Sequence, residues 1–252
     1  MTFGTTGQGD ATLYLIGPGQ IIKRQVRLGQ DVQIKVDELR SAGRWIATVG
    51  NGEHSESQTF WLSPARARNL NFLARPSRVP VARQHVISGM AFVFDQYQNL
   101  VLQPTPVKFS LSVDGSGASQ TVESRNGVAW INSSSAKKAG AAQFLASVDE
   151  TSVRRVVQQV ASDPCNLRMH LIQRTEKSVI VETDPVRDCT GNPVPDGTIV
   201  SFTQTDSTGR SAVDARIKKG VARAQLPYAE NANISVAAGV VLGNELHLGG
   251  RP

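Results

Sequence analysis

Cys165 and Cys189 are the residues whose type and spacing most directly offer chemistry, and they are the chain's two cysteines. An even count confined to one stretch suggests a disulfide made in an oxidising compartment. A bridge closing a loop of this length would stabilise the fold by roughly 3 kcal/mol. Two separate buried thiols are one alternative, and a zinc pair joined by nearby His170 is another. The remaining histidines, His54, His85 and His247, are far apart, and none stands at metal-ligand spacing such as H-x-x-x-H. Asp184, Asp188 and Asp196 cluster near one presumed loop, where oxygen ligands would suit calcium, but their spacing matches no calcium loop. The chain has no G-x-S-x-G elbow, no G-x-x-x-x-G-K-[ST] phosphate loop and no dinucleotide fingerprint. No catalytic, cofactor-binding or metal-ligating residue is assigned, and a non-enzymatic protein is expected.

Two kinds of binding surface come next. Trp45, Trp61 and Trp130 could form a stacking face for sugars, as in a carbohydrate-binding module of an extracellular enzyme. Two of them lie in or beside alternating strands, which favours packing in a core. Arg66, Arg68, Arg75, Arg78 and Arg83 gather around Pro64, Pro76 and Pro80. Nucleic-acid binding would need aromatics interleaved with those cations, and apart from Phe72 there are none. The stretch reads as the solvated face of a linker. The net charge of +6 is otherwise spread along the chain, so no nucleic-acid partner is expected. No apolar run approaches the roughly 20 residues that span a bilayer. The first ten residues have neither a basic segment nor an apolar core, so no signal segment is expected within this chain.

The elements that would position these residues are strands. Val32, Ile34 and Val36 alternate with Gln33 and Lys35, Trp45, Ala47 and Val49 with Ile46 and Thr48, and Val107, Phe109 and Leu111 with Lys108 and Ser110, and Ile234, Val236 and Ala238 keep the same spacing. Alternation with period two is the pattern of a half-buried strand. Gly- and Asn-rich clusters such as Gly50-Asn51-Gly52, Asp114-Gly115 and Asp196-Gly197 separate the runs and supply turns. Short strands at this spacing predict an all-β chain of antiparallel sandwiches.

The strands repeat. Asp95, Asn99, Val107, Phe109 and Gly127-Val128-Ala129 match Asp188, Asn192, Val200, Phe202 and Gly220-Val221-Ala222, always at an offset of 93 residues. A period that long fits a whole small domain. Ala42-Gly43 also echoes Ala139-Gly140, at an offset of 97. Three units are predicted: a divergent one at 1–65, a second at 66–162 and a third at 163–252 that carries both cysteines. Proline at the junctions stiffens the connections. Asp95, Asn99, Asp188 and Asn192 are expected to hold tight connections through bonds to nearby backbone amides. Val194, Val200 and Phe202 should point inward, with Ala222 and Ala224 on the inner face of the next strand. Gly127 and Gly220 should serve turns.

The segment Asp188-Cys-Thr-Gly-Asn192-Pro-Val194 through Val200 and Phe202, followed by Gly220-Val-Ala222 and Leu226, resembles bacterial immunoglobulin-like domains. These are the repeats of invasin- and intimin-type surface proteins. The second unit keeps a degraded copy that lacks the Gly before Asn99 and the Pro after it, so its turn could differ in type. The resemblance implies tandem immunoglobulin-like sandwiches in a bacterial surface stalk or adhesin. It implies an extracellular, cell-surface or periplasmic location, and partners that are proteins or further copies joined through β edges.

Overall fold

The computed structural model describes residues 1–249, without the side chain of Val36; residues 250–252, the end of the expected third unit, lie outside the described residues. The architecture is nearly all β, with three successive hydrophobic cores along the chain.

The first body comprises β1 (Thr2–Phe3), β2 (Asp10–Gly17), β3 (Gln20–Arg27), β4 (Val32–Gln33), β5 (Gly43–Gly50) and β6 (Ser55–Leu62). Four strands form one antiparallel sheet in the order β3-β2-β5-β6, while β1 and β4 make a separate two-residue ladder. Ala11, Leu13, Leu15, Trp45 and Ala47 alternate onto the inner face of the larger sheet. Trp45 is fully buried, stacks on Phe60 and donates its indole N–H to the Ser41 carbonyl at 2.8 Å. Its ring fills the space over Gly17, where an added Cβ would lie 2.2 Å from the ring.

The second body comprises β7 (Ala67–Arg75), β8 (Arg78–Pro80), β9 (Ile87–Asp95), β10 (Pro106–Val113), β11 (Ser116–Glu123), β12 (Val128–Ser133), β13 (Gly140–Val148) and β14 (Thr151–Val160). It is a two-sheet sandwich: β11-β10-β13-β14-β8 faces β12-β9-β7. Phe72, Phe109 and Phe144 meet in its centre, and all three are buried. Aromatic rings in tilted and edge contacts add specificity to the area they bury.

The third body comprises β15 (Pro164–Cys165), β16 (Met169–Arg174), β17 (Ser178–Thr183), β18 (Arg187–Asp188), β19 (Ile199–Asp206), β20 (Gly209–Arg216), β21 (Arg223–Pro227), β22 (Asn233–Ala238) and β23 (Val241–His247). The sheet β20-β19-β22-β23 packs over β16-β17-β21, and β15 pairs with β18. Val200 and Phe202 are fully buried, and Val194, Ala222 and Ala224 join them in the core.

One expectation is corrected. Arg68 and Arg75 lie in β7 and Arg78 in β8, so most of the Arg-rich stretch is strand rather than linker. Leu70 and Phe72 turn inward, so alternation leaves Arg75 on the solvent side, while a register shift between Ala67 and Asn69 turns Arg68 outward as well.

Candidate functional site

The repeated Asp–Asn pair builds the same device twice. Asp95 ends β9, and its Oδ1 accepts the backbone N–H groups of Tyr97 and Asn99 at 2.8 and 2.9 Å. The Asp95 N–H in turn bonds the Asn99 carbonyl at 2.9 Å. A five-residue loop is thereby closed on itself. The other carboxylate oxygen accepts the Asn99 side-chain amide and the backbone N–H of Ala65, both at 2.9 Å. Ala65 belongs to the segment entering from the first body.

Asn99 completes the grip. Its side-chain amide donates to the Arg40 carbonyl at 2.7 Å, and its Oδ1 accepts the Ala42 N–H at 2.9 Å. Arg40 and Ala42 lie just before β5 of the first body. A single side chain thus satisfies one donor and one acceptor of the neighbouring body.

At the second joint, Asp188 Oδ1 accepts the Thr190 and Asn192 N–H groups, both at 2.9 Å, and Oδ2 accepts the Ser162 N–H at 3.0 Å. Asn192 donates to the Lys137 carbonyl at 2.7 Å and accepts the Ala139 N–H at 2.8 Å. The acceptor loops match as well: Arg40 and Ala42 correspond to Lys137 and Ala139. Ser162 also donates its hydroxyl to the Val81 carbonyl at 2.7 Å.

Both carboxylates are buried, and both stay ionised. Burial pushes their pKa up, but the bonds they accept outweigh it and hold each below the ordinary value of 3.8. For Asp95 those bonds come from the Asn99 side chain and the amides of Asn99, Ala65 and Tyr97; for Asp188 they come from Thr190, Ser162 and Asn192.

The two turns share one conformation despite their different sequences. Gln98 has φ 67° where Gly191 has φ 86°. The Gly-less second copy therefore makes the same turn rather than a different type. Gly127 and Gly220 also agree, at φ 79° and 84°, each after a left-handed residue, Asn126 or Lys219. Phe109 and Phe202 sit in the cores of their respective bodies.

Cys165 and Cys189 are bonded, with their Cα atoms 4.9 Å apart. The bridge joins β15 to the residue after Asp188. It staples the segment leaving the second joint onto the turn that grips it. In the first joint Gln96 stands at the position of Cys189.

Three solved structures share the architecture at low sequence identity. FdeC, an Escherichia coli adhesin, superposes with a TM-score of 0.58 at 13% identity, covering 98% of this chain and 87% of that one. Invasin, a bacterial integrin-binding protein, gives 0.55 at 12% identity, covering 95% of this chain and 52% of that one. Yersinia pseudotuberculosis InvD gives 0.52 at 13%, covering 98% and 88%. The fold is that of tandem immunoglobulin-like β-sandwiches. No protein-family model matches the chain, and no curated protein matches it in sequence.

The remaining candidate residues are dispersed over these immunoglobulin-like bodies. Trp45 packs in the core as expected, but Trp61 and Trp130 are 64% and 57% exposed, because strand alternation turns them outward. Asp184 pairs with His170 at 3.2 Å, Asp188 holds the joint, and Asp196 accepts the Lys219 and Gly220 N–H groups. Among the described residues no group of three or more acidic, His or Cys side chains gathers to hold a metal ion, and no helix is long and apolar enough to cross a membrane. Sequence reasoning missed the partners of the Asp–Asn pair. Their signal was present in the offset of 97 between Ala42 and Ala139.

Proposed function

We propose that this chain is a non-enzymatic, exported arm of a bacterial surface protein that holds immunoglobulin-like domains in fixed series to present an adhesive surface. Its domains are 1–65, 66–162 and 163–252. The observation that carries the reading is the repeated clasp, in which Asn99 and Asn192 each bond the backbone of the preceding body. Domain interfaces within a chain are by default mobile. A device repeated at both joints, which uses side-chain amides to tie one body to the next, fits a set angle between them, which an arm under load needs and a soluble catalyst does not. The shared architecture with FdeC, invasin and InvD supports the same reading. The partner is a protein on another surface or another copy of the arm.

The test has two parts. Small-angle scattering of the purified chain should report an elongated particle with little flexibility, and beads coated with it should adhere saturably to host cells or matrix proteins. Free protein should compete. A freely jointed profile together with no saturable adherence would sink the proposal.

A further inference from the structure

The second body is open where the third is filled. A cleft of about 440 Å³ lies between the β10–β11 hairpin and the end of β12, over Phe109, Leu111, Ile131 and Phe144. Gln120 pairs across the sheet with Phe109, and Ser133 pairs with Ile87, so both side chains stand on the core-facing side of their strands. The offset of 93 residues sets them against Val213 and Leu226 of the third body, which pair in the same way with Phe202 and Val179. Leu226 is buried, and Val213 packs against the core. Ser135 likewise matches Tyr228, which also packs there. Where the third body carries large fillers, the second carries small or polar residues.

The cleft holds polar groups that the fold leaves unused. Gln159 closes its inner end and is fully buried. Its Oε1 accepts the Ala136 N–H at 2.6 Å, but its Nε2 has no hydrogen-bond partner among the described residues. A buried donor without a partner is rare and calls for an explanation. Nearer the mouth, the side chains of Ser116, Gln120 and Ser133 make no hydrogen bond within the described residues. No residue lining the cleft is charged, and no tryptophan lines it. An apolar floor with a few convergent polar groups, in a volume of roughly 300–1,000 Å³, is the usual make-up of a small-molecule site.

We propose that this cleft binds a neutral sugar. One pyranose ring lies with its C–H face on Leu111 and Ile131, and its hydroxyl groups meet Gln120, Ser133 and, at the inner end, Nε2 of Gln159. The uncharged lining disfavours an ionic ligand, whose charge would be buried without a partner. A wholly apolar ligand would leave Nε2 of Gln159 unpaired. Amides and serine hydroxyls both donate and accept, which suits sugar hydroxyls that do the same. The inference stands on the comparison of the two bodies and is independent of the adhesive role.

The isotope-labelled full chain is titrated by NMR with glucose, galactose, mannose and N-acetylglucosamine at millimolar concentrations. At least one should give saturable shifts at the backbone amides of 117–120 and 131–136 and at the side-chain amide of Gln159. Ser133→Leu and Gln120→Val each copy the third body. Each should fill the cleft and weaken binding by about tenfold or more. The melting temperature should hold or rise, which separates a filled cleft from a lost fold. No saturable shift with any of the four sugars overturns the proposal. So do shifts that survive both fillings, since the sugar then sits elsewhere. N-acetyltryptophan amide saturating the same residues more tightly than every sugar also overturns it, since the occupant is then a protein side chain.

Discussion

The side-chain oxygen of Asn192 accepts the backbone N–H of Ala139 at 2.8 Å, across the joint between the second and third immunoglobulin-like bodies. The same amide group donates to Lys137 on the other arm of that loop. Asn99 repeats the arrangement on Arg40 and Ala42. A motif that looks like a local turn is therefore also a fastener between neighbours.

Replacing either asparagine by alanine should loosen one joint and leave the sandwiches folded. Each change strands a backbone donor and acceptor of the preceding body, a cost of about 1–3 kcal/mol. Residual dipolar couplings should then report independent orientation of the two bodies in Asn192→Ala. Unchanged couplings would mean that Asn192 does not set the angle.

Acid should act on the same joints. The folded-state pKa values of Asp95 and Asp188 lie below the ordinary 3.8. Their contribution is complete above about pH 4 and is lost as pH falls through the depressed folded values. Thermal unfolding followed from pH 6 to pH 2 should show this loss. The paired substitutions Asp95→Asn and Asp188→Asn should flatten the acid limb; a limb as steep as that of the parent would assign it to other carboxylates.

Gln98 occupies a left-handed conformation that glycine takes without a Cβ clash. Gln98→Gly should therefore stabilise the second body by about 1 kcal/mol, whereas Gly191→Gln should destabilise the third by a similar amount. Denaturant midpoints measure both. A destabilised Gln98→Gly protein would show that the side chain contributes more than the strain costs.

Gly127 and Gly220 share a backbone conformation but not surroundings. A Cβ at Gly127 would meet Leu100 at 2.3 Å, while one at Gly220 meets nothing within 4 Å. Gly220→Ala should cost the left-handed strain alone, about 1 kcal/mol. Gly127→Ala should cost more by the displacement of Leu100, and Leu100→Ala should relieve the difference. Equal losses at the two sites would rule out the steric part.

Reduction should weaken the third body selectively. The bridge spans 24 residues of sequence, for which roughly 3 kcal/mol is expected. Reductant should lower the melting temperature of that transition and leave the second body's unchanged. Since Cys189 follows Asp188 directly, the second joint should also become more mobile.

Alternation of apolar residues and the 93-residue repeat were enough to find the sandwich class, the strands around Trp45, Phe109 and Ile234, and the inward set around Phe109 and Phe202, but the alternation of Val32, Ile34 and Val36 misled: the strand ends at Gln33, and Val36–Glu38 form a 3-10 helix. The features found depend on near neighbours in sequence: side-chain period, turn conformation and loop closure by Asp95 or Asp188 are local physics. Tertiary structure decided the rest. Asn99 meets Ala42 from 57 residues away, and Asn192 meets Ala139 from 53. No local pattern encodes which carbonyl lies opposite a side-chain amide once two bodies dock. The outward turn of Trp61 and Trp130 depends on which face of each strand meets the core.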